Sequence, residues 1–317
     1  MSYLLLVVGF FFLIKGADWF VDGSSGVARR FGIPSVVIGL TIVAFGTSAP
    51  EAAVSITAAL NGDNGIAVGN VLGSNIFNLL MVIGVTALLN PCKVDSGIIA
   101  RDFPFSILIS AVLLVLGIDT FWGRGEMNVI SRGDGMILLF FMAIFVAYTI
   151  RGAMDPERKP EPRDAMEPKP QVTKCLGLIV IGIAGIVLGG QLVVESATAI
   201  AISFGISQTL IGLTIVAMGT SLPELVTSAV AAKKGESDIA IGNVVGSNIF
   251  NILFVLGLSS AITPVPYSML SVYDTAVVIA VSLLIYLLCY TKRQVSRVEG
   301  AISVLAYFAY MAYIIVR

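Results

Sequence analysis

Ten times along this chain an apolar run recurs that is long enough to cross roughly 30 Å of hydrocarbon. The runs lie at 3–28, 35–60, 66–89, 104–118, 136–150, 175–202, 208–232, 239–260, 272–290 and 299–316. In lipid the backbone N–H and C=O groups have no water to turn to, so each run must satisfy its own backbone as a helix. The expected fold is an all-α membrane protein with ten transmembrane helices. Charge supports it: only 12% of the 317 residues are Asp, Glu, Lys or Arg, too few to cover a water-facing surface. Met1-Ser2-Tyr3 offers no basic n-region and no cleavage site follows, so the first run is read as a retained span rather than a leader.

The remaining charges orient the helices. With the N-terminus outside, 15 Lys and Arg fall on the inner side, among them Arg29, Arg30, Lys93, Arg151, Lys233, Lys234, Lys292 and Arg297. The outer side keeps three, Arg124, Arg132 and Arg317, while Lys15 lies inside the first span. That positive-inside bias would scatter if one helix were miscounted. Both termini are therefore expected outside a plasma membrane, and the polar, proline-rich stretch 151–174 is expected to be a cytoplasmic linker.

Composition also removes whole classes of function. The chain has no histidine, which excludes histidine-ligated zinc sites and Ser-His-Asp triads. Without a nucleophile–base pair, an intramembrane enzyme has no chemistry to run. A net charge of −1 provides no field for nucleic acid. Cys92, Cys175 and Cys289 stand too far apart to form a metal knuckle. No cofactor and no obligatory protein partner is called for.

The chain matches itself at an offset of 173. GLTIVAFGTSAPE at 39–51 returns as GLTIVAMGTSLPE at 212–224, and GNVLGSNIFN at 69–78 returns as GNVVGSNIFN at 242–251. About 33 of the 54 positions from 31 to 84 are identical to their counterparts. Each half holds five spans, an odd number, so the second half enters the membrane from the opposite side. The expected organisation is two inverted five-helix repeats, 1–150 and 175–317, joined by the linker. Inverted repeats place substrate at their interface near mid-bilayer. Duplication for packing alone would keep small and apolar residues; here the mid-membrane polar residues repeat too.

Those polar residues have the chemistry of a hard-cation site. Pro50 and Pro223 have no N–H for the carbonyls of Gly46 and Gly219, so both helices should break and bare backbone oxygen. Glu51 and Glu224 follow directly, and a carboxylate in mid-membrane costs at least ~2.5 kcal/mol, which makes it a functional candidate. Lys15, inside the first span, has Asp18 one turn away to pair with. Thr47 shares a helix face with Glu51, Thr220 with Glu224, Ser74 with Asn78, and Ser247 with Asn251. All of them offer oxygen, as Ca2+ requires; no Cys, Met or His lies within GTSAPE, GTSLPE, GNVLGSN or GNVVGSN to draw a soft metal. Gly69, Gly73, Gly242 and Gly246 should let these helices approach closely. Asp22 and Glu195, which also match across the repeat, are read as structural.

At these paired motifs the sequence resembles the sodium/calcium exchanger family of the cation/calcium antiporter superfamily, over essentially the whole chain. The resemblance implies an antiporter for Ca2+ and Na+ working by alternating access, with the first and sixth helices sliding across the rest. Carried onto matching positions, it implies ligands at Ala44 (carbonyl), Thr47, Ser48, Glu51, Ser74 and Asn78. In the second repeat it implies Ala217 (carbonyl), Thr220, Ser221, Glu224, Ser247 and Asn251. Asn251, where potassium-dependent relatives have aspartate, argues against potassium co-transport. Gly73 and Gly246, where proton-coupled relatives carry a glutamate, argue against proton coupling. Both remain alternatives, as does a cation channel. Two glutamates with neutral asparagines give the site a charge of −2, balanced by one Ca2+. Flanking oxygens leave room for a third Na+, so exchange is expected to be electrogenic.

Overall fold

The computed structural model describes residues 2–62, 64–123, 126–153, 170–205 and 217–316, the side chains of Asn64 and Ala217 excepted. The chain is mostly helical. The helices are α1 (Ser2–Phe31), α2 (Ser35–Thr47), α3 (Ala49–Asn61), α4 (Gly65–Leu89), α5 (Ile98–Gly117), α6 (Arg132–Ala153) and α7 (Val172–Ser203). They continue as a short turn α8 (Ala217–Gly219), then α9 (Leu222–Lys233), α10 (Ser237–Ile262), α11 (Met269–Lys292) and α12 (Arg297–Val316). Among the described residues eight helices are long and apolar enough to cross a membrane, or nine when the bent pair α2–α3 counts as one span. The start of the expected seventh span, 206–216, lies outside the described residues, as does 154–169 of the expected linker.

Three boundaries differ from the sequence reading, each for a local reason. The fourth span was expected from 104 and begins at Ile98. Arg101 donates to both oxygens of its neighbour Asp102, at 2.6 and 2.9 Å, and this pairing lets both charges enter the helix. The fifth was expected from 136 and begins at Arg132, where Ser131 and Asp134 close a polar cap at the helix start. Helix α6 runs through Ala153 and α7 starts at Val172, so helix enters both ends of the expected stretch 151–174.

The layers follow from burial. In α10, 94% of the apolar window is buried, and in α4 78%, against 17% in α6. The two segments bearing GSN-IFN thus form the centre. Large apolar side chains such as Phe11, Phe140, Leu284 and Phe308 stay exposed on the outer helices, as lipid-facing surface does. Across one flank α1 and α7 pack along their lengths through a glycine seam. A Cβ at Gly16 would stand 2.6 Å from the Ile186 nitrogen, and one at Gly182 2.6 Å from the Phe20 nitrogen. Only glycine allows backbones so close.

Two short ladders tie the loops. β1 (Cys92–Lys93) pairs antiparallel with β4 (Gln294–Val295), and β2 (Val129–Ile130) with β3 (Val265–Pro266). Because β1 precedes α5 and β2 follows it, the ladders cap opposite ends of that helix. Gly62 and Gly235, again 173 apart, close α3 and α9 in the left-handed region at φ 85° and 80°, where a Cβ would be strained. Cys92, Cys175 and Cys289 are free and buried.

Candidate functional site

The site grows from the two proline-linked breaks. Ser48 leaves helical geometry at φ −84°, ψ 6°, and Ser221 does the same at φ −93°, ψ 5°. The break therefore falls one residue ahead of the position before proline, and Pro50 and Pro223 sit in the first turns of α3 and α9. That placement is favourable, since a first-turn proline surrenders an N–H that had no partner anyway. α2 and α3 meet at 48°. Glu51 and Glu224 consequently stand in the first turn of a helix, where the positive end of the helix dipole favours a carboxylate. Both are fully buried.

The hydroxyls then cross between the halves. Ser48 donates to Glu224 Oε1 at 2.8 Å, and Ser221 donates to Glu51 Oε1 at 2.9 Å. Ser74 lies 3.3 Å from Glu51 Oε1 and 2.9 Å from the Ser221 hydroxyl, while Ser247 reaches Glu224 Oε1 at 3.5 Å. Each carboxylate thus has one oxygen held by serines. The other, Glu51 Oε2 or Glu224 Oε2, is buried with no hydrogen-bond partner. Asn78 Oδ1 and Asn251 Oδ1 share that condition. Four buried, unpartnered oxygens, two anionic and two neutral, are costly to leave bare and are the ligand type a hard cation takes.

The threonines are placed differently from the serines. Thr47 lies 3.0 Å from Asn243 Oδ1 and 3.1 Å from the Val43 carbonyl, and Thr220 reaches Asn70 Oδ1 at 3.4 Å. Each threonine also has a carboxylate of the other half beside it, Thr220 near Glu51 and Thr47 near Glu224. The Ala44 carbonyl accepts from the Ser48 N–H at 3.0 Å and lies 3.4 Å from the Thr47 hydroxyl; a carbonyl has two lone pairs, and these contacts occupy its helical direction. Ala217 opens α8, and its side chain lies outside the described residues. Glycine packing is visible in the second repeat: a Cβ at Gly246 would stand 2.6 Å from the Leu40 carbonyl oxygen. The stretch corresponding to Leu40 in the other half is within 206–216.

Two features of the centre were not read from the sequence. Asn70 and Asn243 each bridge a hydroxyl and a backbone carbonyl: Asn70 donates to Ser55 (2.9 Å) and the Glu51 carbonyl (3.2 Å), and Asn243 to Ser228 (2.9 Å) and the Glu224 carbonyl (3.5 Å). Asn75 and Asn248 meet across the interface. Their signal was present, since all four repeat at 173, but the helix-face pairing that selected Asn78 and Asn251 passed over them. The second feature is backbone: π-helical turns run Asn78–Val82 and Asn251–Leu256, beginning at the two predicted ligands. Such single wide turns are frequent at functional sites and have no residue signature to find them by. Asp22 and Glu195 are away from the centre. Asp22 pairs with Lys234 at 2.6 Å, and Glu195 accepts from Gln191 at 2.9 Å. Lys15 does contact Asp18, at 3.6 Å, but Lys234 holds that carboxylate more closely, at 2.6 Å.

Comparison with known proteins gives concordant matches. The profile of the family described as sodium/calcium exchanger protein covers residues 1–151 and 174–316. The sodium/calcium exchanger MaX1 of Methanosarcina acetivorans is 36% identical, over 98% of this chain and 97% of its own. A putative antiporter, CaxA, of Alkalimonas amylolytica is 41% identical over 97% of this chain and 96% of its own. The structure of the sodium-calcium exchanger NCX_Mj superposes with a TM-score of 0.85 at 33% identity, covering 99% of this chain and 98% of that one.

Proposed function

The chain belongs to the sodium/calcium exchanger family, and we propose that this multi-span membrane protein is an antiporter exchanging Na+ for Ca2+ at the centre built around Glu51 and Glu224. One observation carries the reading: the four buried, unpartnered oxygens of Glu51, Glu224, Asn78 and Asn251. Serine hydroxyls hold the opposite carboxylate oxygens, so the free ones are pre-oriented, and among the described residues no Lys or Arg forms an ion pair with either glutamate. One Ca2+ or two Na+ balances the charge of −2. The full ligand set is Thr47, Ser48, Glu51, Ser74, Asn78, Thr220, Ser221, Glu224, Ser247 and Asn251, with the carbonyls of Ala44 and Ala217.

The architecture behind it is ten spans in two inverted repeats, 1–150 and 175–317, joined through 151–174, with both termini outside the plasma membrane. The ladders support the inversion. β1 and β3 stand 173 residues apart, since 265 − 92 = 173, and belong to ladders at opposite ends of α5. Equivalent strands at opposite ends are what an inverted repeat requires. Each glutamate is held by a serine of the other half, which ties the central segments together and leaves α1 and α7 to slide across them and open either side, as alternating access demands. Proton coupling loses ground at Gly246, where the Leu40 carbonyl leaves no room for the glutamate of proton-coupled relatives.

The test is Ca2+ uptake into proteoliposomes driven by an outward Na+ gradient, with voltage clamped by an ionophore and K+ present or absent. Uptake that follows the Na+ gradient, responds to voltage and ignores K+ is expected. Uptake driven by a proton gradient alone overturns the reading, and indifference to voltage removes the third Na+.

A further inference from the structure

The two asparagines that touch no free oxygen of the site carry the inference. Asn75 Nδ2 donates to the Asn248 backbone carbonyl at 3.3 Å, and Asn248 Nδ2 donates to the Asn75 carbonyl at 3.4 Å. A carbonyl only accepts, so it fixes which end of each amide faces it. Asn75 Oδ1 must then point away, and it accepts from Asn251 Nδ2 at 3.1 Å; Asn248 Oδ1 accepts from Asn78 Nδ2 at 3.1 Å. Having spent their NH2 groups this way, Asn78 and Asn251 present Oδ1, and those are the buried oxygens left without partners. All four side chains are at least 98% buried, so bulk solvent does not compete for these amides.

We infer that Asn75 and Asn248 are positioning residues that lock the amides of the opposite half's ligands, Asn251 and Asn78, with oxygen toward the ion. The lock runs crosswise. Asn75 is three residues from Asn78 on its own helix, yet its side chain holds Asn251. Without it, the amide of Asn251 is free to turn its NH2 toward the cation, replacing a ligand by a like-charged dipole end. The arrangement also selects an amide over a carboxylate at 251 and 78, because a carboxylate facing Asn75 Oδ1 or Asn248 Oδ1 would set two acceptors against each other. The inference rests on the proposed transport reading for what the oxygens bind.

The experiment is a set of double-mutant cycles on the full chain in proteoliposomes, reading the half-saturating Ca2+ concentration and the maximal rate of Na+-driven uptake. Asn75→Ala is expected to raise the half-saturating concentration three- to tenfold. Combined with Asn251→Ala it should add little, while combined with Asn78→Ala the effects should multiply. Asn248→Ala should show the mirror pattern, coupled to Asn78 and independent of Asn251. Additive behaviour of the Asn75–Asn251 and Asn248–Asn78 pairs overturns the inference, as does coupling to the same-helix neighbour instead. If an alanine variant does not insert, Asn75→Ser and Asn248→Ser repeat the cycle; failure of both variants at either position makes that residue a packing element and also overturns it. Wild-type vesicles with no Na+-driven uptake would refute the transport reading instead, so the two failures are distinguishable.

Discussion

The centre of the molecule and its rim treat the repeat differently. At the centre almost every polar contact has a partner 173 residues away: Ser48 on Glu224 is answered by Ser221 on Glu51, and Asn75 on Asn248 by Asn248 on Asn75. At the rim where α1 ends, Lys234 grips Asp18 and Asp22 at 2.6 Å each, and Ser25 donates to Glu236 at 2.8 Å. The counterparts of Asp18, Asp22 and Lys234 are Gln191, Glu195 and Asn61, which carry no cation to bridge them, and Gln191 bonds instead within its own helix. An ion that meets both halves needs matched ligands, whichever side it came from. A contact that holds one end shut need exist only there. Symmetry therefore marks what binds, and its loss marks what sets the resting arrangement.

The comparison is most easily broken at the carboxylates. Glu51→Gln and Glu224→Gln are each expected to lower Na+-driven Ca2+ uptake more than a hundredfold, and equally, in protein that still inserts. Losing one of two charges opposite a divalent ion in a dry site leaves the ion's charge uncompensated. Near-normal flux in either variant would mean that the centre is not functionally symmetric. The serines sharpen the same point. Ser48→Ala and Ser221→Ala remove bonds of 2.8 and 2.9 Å to a charged acceptor, a class that contributes about 1.5–3 kcal/mol. A rise of roughly tenfold or more in half-saturating Ca2+ is expected for each, at about 1.4 kcal/mol per tenfold. The two variants should agree within about threefold, and a larger gap would sink the crosswise equivalence.

Much of the centre was legible because lipid makes polar residues conspicuous. A glutamate after proline in an apolar run has few explanations, and the repeat doubled the signal. Glu51, Glu224, Ser74, Asn78, Ser247 and Asn251 were reached from spacing, and Ser48 and Ser221 through the family resemblance. Asn75 and Asn248 escaped because their role lies across an interface between segments far apart in sequence, which helical periodicity within one segment does not register. The π-helical turns at Asn78 and Asn251 escaped because an extra residue in a turn changes no composition. The helix start at Ile98 was misjudged because hydropathy counts Arg101 and Asp102 as two charges, whereas paired they behave nearly as a dipole, and that at Arg132 because the polar Ser131–Asp134 cap reads as loop. The glycine seam between α1 and α7 was present as spacing and became meaningful only once the two helices were seen to meet.

The smallest effect belongs to the rim, and it separates holding from binding. No atom of Lys234 touches the site, so Lys234→Gln should leave the half-saturating Ca2+ concentration unchanged. The ion pairs are partly exposed, with Lys234 27% and Asp22 55% accessible, and such pairs contribute at most about 1 kcal/mol. If they hold α1 in its present position, releasing them should raise the maximal rate about two- to fivefold at low salt. The gap between wild type and variant should narrow near 1 M salt, where the Debye length is about 3 Å. The sign with pH follows from the ammonium. Partial burial pulls its pKa down, but the bonds to Asp18 and Asp22 outweigh that and leave it above the ordinary lysine value. A raised pKa means that the contact is fully formed below the ordinary value and lost only as pH climbs through the raised one. From about pH 6 to 9 the ratio of variant to wild-type rate should accordingly stay flat. Asn61→Ala, the matching change in the other half, should alter neither rate nor affinity. A rate change of the same size there, or a shift in Ca2+ affinity for Lys234→Gln, would show that the rim is part of the symmetric machinery and not a one-ended hold.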